Sequence, residues 1–441
     1  MKKLHLISLG CTKNLIDSEV MLGKLKHYEI SQESSDSDVI IINTCGFIEE
    51  AKKESIDTIL AAHDERKKDS LLVVTGCLSQ RYREELQELL PEVDLFTGVG
   101  DYNKIDQLIN EKTNQFSSDT YLIDYTDERV VTGSNYHAFV KISEGCNQQC
   151  SFCAIPSFKG KLKSRSLESI SKEVEGLVKK GYYDFTFISQ DSSSFGRDLG
   201  TKKDGLIGLI KAIEAIDGVK SARILYLYPT TMTYELIDTI IESSVFESYF
   251  DIPLQHIDDA MLTTMRRGSK SETIKKMLAY IKEKDSKAFL RSGFIVGHPE
   301  ESEEAFASLC EFIAQSDFER ISVFRYSDEE GTKAYGMQNK VDEETIEKRM
   351  DIISKIVEDK LNSSFDNELG QECFVDVNGV SEEHEFFFSA KKSNWAFEID
   401  GEILINDKEF EGDIEHSKRY KALIKEKYDK TLVATLVEQL H

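Results

Sequence analysis

Proline is scarce in this chain. There are five in 441 residues, together with a single tryptophan. That excludes a Pro-rich, polyproline-type linker protein. Long apolar runs are missing too: no stretch approaches the roughly 18 residues that a membrane-spanning helix needs. The first segment, Met1–Asp17, opens with two lysines, Lys2 and Lys3, and then has only a short apolar stretch before charge returns. It reads as a first strand and not as a signal peptide, so a cytoplasmic location with reduced thiols is expected. Basic residues are in deficit, with 55 Lys+Arg against 80 Asp+Glu and a formal net charge of −25. Such a surface is unsuited to coating nucleic acid through non-specific phosphate contacts, and it leaves open a basic protein partner. Cysteines number eight, too few for a disulfide scaffold of this length, so their spacing is read first as metal or redox chemistry. No P-loop and no GxSxG elbow occurs. Gly98-Val99-Gly100 begins a dinucleotide fingerprint, but Asn103 stands where its third glycine belongs.

What remains is an ordinary soluble composition, 40% hydrophobic and 31% charged, in a length that suggests about three domains. The pattern predicts an α/β chain. Residues 1–115 repeat a unit in which an apolar strand (Leu4–Leu9, Val39–Ile42, Leu71–Val74) is followed by a helix, the signature of a parallel sheet. A looser stretch of about 114–135 marks a boundary. Residues 132–365 alternate six strand candidates (137–143, 184–189, 222–228, 249–254, 287–296 and 320–326) with helical patterns, which fits a partial (β/α) barrel. A helix near 342–361 closes this part, and Asn362-Ser363-Ser364 reads as a linker. Residues 368–441 change to short runs, Phe374–Val377, Phe386–Phe388, Trp395–Ile399, Ile403–Ile405 and Leu432–Leu436, separated by turn residues, which predicts a small β domain. Its segment 372–415 holds 13 Asp+Glu and three lysines.

Cys11, Cys45 and Cys77 each fall just after a strand of the N-terminal repeat. All strand C-termini of a parallel sheet open on one edge, so the three thiols are expected to converge there, in preference to three separate buried cysteines. After the first barrel strand comes Cys146-Asn147-Gln148-Gln149-Cys150-Ser151-Phe152-Cys153. Three thiols in one tight loop are not a core device. A structural zinc site would normally supply four ligands, and no fourth follows at a suitable spacing. Three thiolates leave one iron of a 4Fe–4S cluster without a protein ligand.

A CxxxCxxC loop at the mouth of a βα barrel resembles the radical S-adenosylmethionine (SAM) superfamily. With the N-terminal triad and the small β domain, the whole chain resembles the radical SAM methylthiotransferases, whose C-terminal domain is TRAM-like. The resemblance implies that Cys146, Cys150 and Cys153 hold a 4Fe–4S cluster whose open iron binds SAM. Electron transfer would cleave SAM to methionine and a 5′-deoxyadenosyl radical. It implies that Cys11, Cys45 and Cys77 hold a second 4Fe–4S cluster that carries the transferred sulfur. It places Gln190, Asp191, Gln255, His256 and Gly297 in contact with SAM. In the segment Phe294–Glu301, His298 and Glu300 depart from the usual residues. Lys159, Lys161, Lys163 and Arg165 form a basic run that meets substrate or SAM, or else a solvated loop. No residue is expected to act as a general base.

Some members of that family modify an adenosine of tRNA, others an aspartate of ribosomal protein uS12. Ser8–Glu19, Asn43–Ile48, Glu54–Ile59, Gly76–Tyr82 and Asp251–His256 resemble the ribosomal-protein branch. The acid-rich C-terminal segment points the same way, since a module that grips RNA offers cations. The expected partners are uS12 as substrate, an electron donor and a sulfur source, with neither membrane nor a direct nucleic-acid substrate. Methylthiolation of tRNA, and a non-catalytic iron–sulfur or zinc module that binds the ribosome, are the alternatives.

Overall fold

The computed structural model describes residues 1–201, 204–428 and 430–440. The N-terminal part is a five-stranded, all-parallel sheet. Its elements are β1 (Lys3–Ser8), α1 (Thr12–Lys24), β2 (Glu29–Ile30), β3 (Val39–Thr44), α2 (Glu49–Glu65), β4 (Leu71–Gly76), α3 (Cys77–Arg81), α4 (Arg83–Leu89), β5 (Leu95–Phe96) and α5 (Ile105–Glu111). The strand order is β2-β1-β3-β4-β5. Val39 to Thr44 are buried without exception, as expected of a central parallel strand covered on both faces.

The stretch between this sheet and the next holds no named helix or strand, yet it is firmly packed. Tyr121 and Ile123 are buried. Arg129 clamps Glu19 of α1 at 2.6 Å and Glu173 of the following part at 2.8 Å. Polar sequence there reflects a surface strap, not a loose tether.

The central part contains β6 (His137–Lys141), β7 (Ser143–Glu144), α6 (Ile155–Lys159), β8 (Lys163–Ser164), α7 (Leu167–Val178), β9 (Asp184–Ile188), α8 (Gly205–Glu214), β10 (Ser221–Ile224), α9 (Tyr234–Glu242), β11 (Tyr249–Asp251), α10 (Asp259–Thr264), α11 (Ser271–Lys284), β12 (Phe289–Val296), α12 (Glu303–Gln315) and β13 (Arg320–Arg325). Parallel pairing gives β6-β9-β10 and β11-β12-β13. The two arcs join through a parallel bridge of Ala222 to Phe246 and through Leu227 N–H donating to the Asp251 carbonyl. Six parallel strands therefore form an open barrel. Phe185, Phe187, Leu209, Ile210, Phe250 and Phe294 fill its wall.

The Asn362-Ser363-Ser364 linker is corrected by the structure. A single helix, α13, runs from Glu343 to Glu368 through those residues. Polar residues are tolerated because Phe365 is buried and the last turns are pinned by ion pairs, Asp366 to Lys427 and Glu368 to Lys392. The C-terminal part is a closed five-stranded barrel of β14 (Glu372–Val380), β15 (Phe388–Lys392), β16 (Ile403–Lys408), β17 (Arg419–Tyr428) and β18 (Thr431–Gln439), ordered β14-β15-β16-β18-β17. Two expectations change here. Trp395–Ile399 is a turn and not a strand. Its rings are spent on a neighbour: Phe397 stacks on His137 at 4.7 Å, and Trp395 receives the Arg320 guanidinium at 4.5 Å. Conversely β17 is a strand that the apolar-run criterion passes over. Its Tyr420, Ala422 and Ile424 point inward between lysines, a half-buried alternation. β17 also belongs to the basic segment 416–441, with six Lys+Arg against three Asp+Glu, so the acidity of the module is confined to 372–415.

The C-terminal barrel sits on the N-terminal ends of the central strands. Arg419 bonds Ser221 and Asp376, Arg223 bonds Asp184 and the Ser393 carbonyl, and Tyr249 reaches Asp400 at 2.8 Å. Buried Lys391 lies 3.4 Å from both Asp184 and Asp376. Charges taken out of water survive only when paired, and these are. One end of the open barrel is thus sealed, and the strand C-termini are left as its mouth. No helix among the described residues is long and apolar enough to cross a membrane.

Candidate active site

Sheet register brings the N-terminal thiols together. Ser8 pairs with Asn43, and Thr44 with Gly76, so Gly10, Cys45 and Cys77 stand side by side just past the strand ends. Cys11 caps the start of α1 and Cys77 opens α3. The loops touch so closely that glycine is required. A Cβ on Gly10, at φ +83°, would lie 2.6 Å from Cys45 Cβ and 2.8 Å from its Sγ; one on Gly76, at φ +99°, would meet Asn43 Oδ1 at 2.5 Å. An amide pair locks the turn. Asn14 Nδ2 donates to the Leu9, Asn43 and Thr44 carbonyls, and Asn43 Nδ2 donates to the Asn14 carbonyl and Ser18 Oγ. Ser55 of α2 accepts from Cys45 N–H and donates to its carbonyl. Burial, and then the neighbouring thiols, push Cys45 up; burial pushes Cys77 up to about 12, with Lys159 pulling the other way.

The second triad lies in the loop after β6 and β7. Gln148 N–H donates to Cys146 Sγ at 3.4 Å, and Arg267 Nη1 donates to Cys150 Sγ at 3.3 Å. Tyr228 Oη stands 3.8 Å from the same sulfur. Burial first, and neighbouring groups after it, push Cys146 and Cys153 up to about 12. The donors around these thiols are what a bound thiolate needs, and loading the site must displace protons. Among the described residues no three Cys, His, Asp or Glu side chains surround a point sized for one ion. The residues that could hold a cluster, each thiolate taking its own iron, are the three cysteines of each triad.

The two triads meet at one junction. Helix α6, directly after Cys153, packs on α3, which begins at Cys77. Lys13, two residues beyond Cys11, lies 3.7 Å over the ring of Tyr226 at the barrel mouth. A buried quartet fills the space between. Lys141 pairs with Asp17 and Glu144, and Lys159 reaches both at 3.4 and 3.7 Å. Burial would raise Glu144, but Lys141 and Lys159 hold it down at about 2. The outer rim is tied as well: Arg81 bonds Glu329 at 2.6 Å and the Glu330 carbonyl at 2.9 Å, and Lys52 reaches Glu329 at 3.2 Å.

The remaining residues singled out from the sequence divide. Gln190 donates its amide to Glu144, while its Oε1 is buried without a partner. Gln255 stands at φ +72° in the loop after β11, its main chain bridging Gly293 and Ile295. Asp191 is committed to Gln148, Ser193 and Ser194. His256 is fully buried, its Nδ1 accepting from Asp258 N–H and its Nε2 3.3 Å from Glu301. Gly297 donates to Glu301 and would meet Ile346 if it carried a Cβ. His298 is explained by its contact: Nε2 lies 3.0 Å from Ser151 Oγ, so it holds the cysteine loop to β12, and burial lowers its basicity. Glu300, at φ +72°, bonds Asn339. The basic run 159–165 is corrected, because Lys159 and Arg165 are buried and paired and only Lys161 and Lys163 face solvent. Sequence reasoning missed Arg267, Tyr228 and the quartet, since their partners lie far along the chain.

Residues 140–313 match the model of the Radical SAM superfamily, and residues 3–98 match Uncharacterized protein family UPF0004. The radical SAM methyltransferase TsrM of Kitasatospora setae shares the fold, with a TM-score of 0.53 at 13% identity over 73% of each chain. The superfamily match and the site define a radical SAM enzyme, a class that uses SAM and a 4Fe–4S cluster. Ribosomal protein uS12 methylthiotransferase RimO of Sulfurovum sp. (strain NBC37-1) is 56% identical over 438 residues, 99% of either chain. The RimO proteins of Campylobacter jejuni subsp. jejuni serotype O:23/36 (strain 81-176) and Aliarcobacter butzleri (strain RM4018) are 57% and 53% identical, over 100% and 99% of this chain and 99% and 98% of theirs. The chain belongs to the RimO family.

Proposed function

We propose that this enzyme methylthiolates the β-carbon of an aspartate in small-subunit ribosomal protein uS12, with Cys146, Cys150 and Cys153 holding the cluster that binds SAM and Cys11, Cys45 and Cys77 holding the auxiliary cluster. When bound, these groups supply one-electron cleavage of SAM, hydrogen abstraction from an unactivated carbon, and the methylated sulfur. The protein supplies position and electrostatics. The observation that supports the reading is the packing of α6, which follows one triad, on α3, which begins at a cysteine of the other, as a radical source and a sulfur source acting on one side chain would require.

On this reading residues 1–115, 132–365 and 368–441 are the auxiliary-cluster, catalytic and TRAM-like domains. Arg267, Tyr228 and the Gln148 N–H balance the charge of the barrel thiolates. The Asp17–Lys141–Glu144–Lys159 quartet, two cations against two anions, excludes water between the sites without adding net charge. Gln190, whose Oε1 has no partner, and Gln255 contact SAM. Asp191, His256 and Gly297 act through the rim they hold in place. The enzyme works in the cytoplasm with an electron donor and a sulfur source, and not on nucleic acid.

Mass spectrometry of uS12 and of tRNA nucleosides from a deletion strain tests the substrate. Loss of a methylthio group, a decrease of about 46 Da for one sulfur and one methylene, is expected on uS12 alone. Its loss from tRNA with uS12 unchanged overturns the reading in favour of the tRNA branch. A colourless, zinc-loaded protein that never cleaves SAM under reducing conditions overturns the enzyme itself.

A further inference from the structure

Lys13 differs from every other cation around the junction. Lys141 and Lys159 are matched by Asp17 and Glu144, Arg81 and Lys52 share Glu329, Arg291 pairs with Asp251, and Arg267 faces Cys150. Among the described residues Lys13 has no carboxylate within 4 Å; it has the face of Tyr226 at 3.7 Å, with Cys11 and Glu144 as more distant neighbours of negative charge. Removing an ammonium from bulk water without a directly paired anion is costly, and a cation–π contact offsets only part of that. Tyr226 is itself unusual, held at φ +62° just past the end of β10 with its N–H donating to Asp251. Backbone strain of this kind persists where the fold over-determines a position, often at ligand sites.

Two features of the adjoining residues favour an anion. Thr12 Oγ1, the neighbouring side-chain oxygen, is buried and has no hydrogen-bond partner. The 13-residue helix α1 begins there, and no side chain caps its first N–H groups. The ammonium of Lys13, the unpaired hydroxyl of Thr12 and the start of α1 thus belong to adjacent residues at the junction of the triads.

We infer that Lys13 is the specificity residue for the acceptor, receiving the carboxylate of the substrate side chain with Thr12 and the α1 N-terminus beside it. This rests on the aspartate reading above and deepens it. A carboxylate anchored there leaves its neighbouring carbon between the two cysteine loops, and it separates an acidic side chain from its amide and from a nucleobase. A charge-assisted hydrogen bond of this type is worth about 10- to 100-fold in binding.

The test uses the full chain with reconstituted clusters and two synthetic peptides of the uS12 target loop, one with aspartate and one with asparagine at the modified position. Wild type, Lys13→Met and Lys13→Arg are compared for KM, kcat and, separately from turnover, for peptide binding by fluorescence anisotropy. Lys13→Met should raise KM and weaken binding of the aspartate peptide about 10- to 100-fold, and the aspartate-over-asparagine preference should collapse toward unity. Lys13→Arg should keep most of that preference. Iron content and the low-temperature EPR spectra should match wild type. If Lys13→Met keeps the full preference, the inference is overturned, and altered cluster spectra alongside would make Lys13 only a counter-charge for the auxiliary site. If wild type modifies neither peptide, the aspartate reading has failed and the inference falls with it.

Discussion

The two cysteine triads reach the same chemical end by opposite routes. Cys146, Cys150 and Cys153 lie within eight residues, so the loop alone gathers them. Cys11, Cys45 and Cys77 are spread over three βα units and are gathered only because β1, β3 and β4 are neighbours in register. The local triad is held by side chains: Arg267 on Cys150, and His298 on Ser151. The distributed triad is held by backbone proximity, with no room for a Cβ at Gly10 or Gly76. A site gathered by a loop depends on its clamps, and one gathered by a sheet depends on how closely strand ends approach.

The sharpest way to break this comparison is to remove one thiol from each side. Cys150→Ala should abolish SAM cleavage, whereas Cys45→Ala should keep cleavage and lose sulfur transfer. Equal loss of 5′-deoxyadenosine formation in both would end the division of labour. Next in size is Gly10→Ala, whose methyl group has no room beside Cys45 and whose left-handed backbone costs roughly 1–2 kcal/mol. It should lower bound iron by about half, the share of one of two clusters, while SAM cleavage survives. Full iron content would show that register does not control the distributed site.

A smaller effect concerns the sealed end of the barrel. Buried His137 stacks on Phe397, and burial lowers its pKa from the usual 6.5 to about 3. The unfolded chain therefore takes up this proton first as pH falls below 6.5, so its contribution to stability is intact above that pH and is lost progressively down to about 3. The cost is about 2 kcal/mol by pH 5. Thermal denaturation from pH 7.5 to 5 should show it, and His137→Phe should flatten the slope. The raised thiols act in the opposite direction, because the unfolded cysteines ionise first above about pH 9 and empty protein is destabilised there. The smallest effect is expected from Glu382→Lys, Glu383→Lys and Glu385→Lys together, in the loop between β14 and β15. Because this barrel sits opposite the mouth, the triple variant should raise KM for uS12 a few-fold at low salt, fade at high salt and leave kcat alone. A change in kcat would contradict that placement.

Much of the architecture was readable in the chain. Apolar runs located the three strands that carry cysteines and all six strands of the open barrel, because buried parallel strands are continuously apolar. Errors came where partners are distant. Trp395–Ile399 looks like a strand until Arg320 and His137 are seen to receive its rings, and β17 hides its inward alternation between lysines. Asn362-Ser363-Ser364 has linker composition, yet Lys392 and Lys427 hold that helix to its end. Lys159 and Arg165 belong to a basic run in sequence and to buried ion pairs in space.

By itself the sequence determined the chemistry: six cysteines in two spacings, in a chain patterned as α/β. Only the tertiary structure decided how the two sets meet, which cations between them are neutralised, and that Lys13 is left facing an aromatic ring. Thiol spacing is a property of one strand or loop and is written locally. Charge balance at a junction depends on groups that approach from several elements, and no single segment carries it.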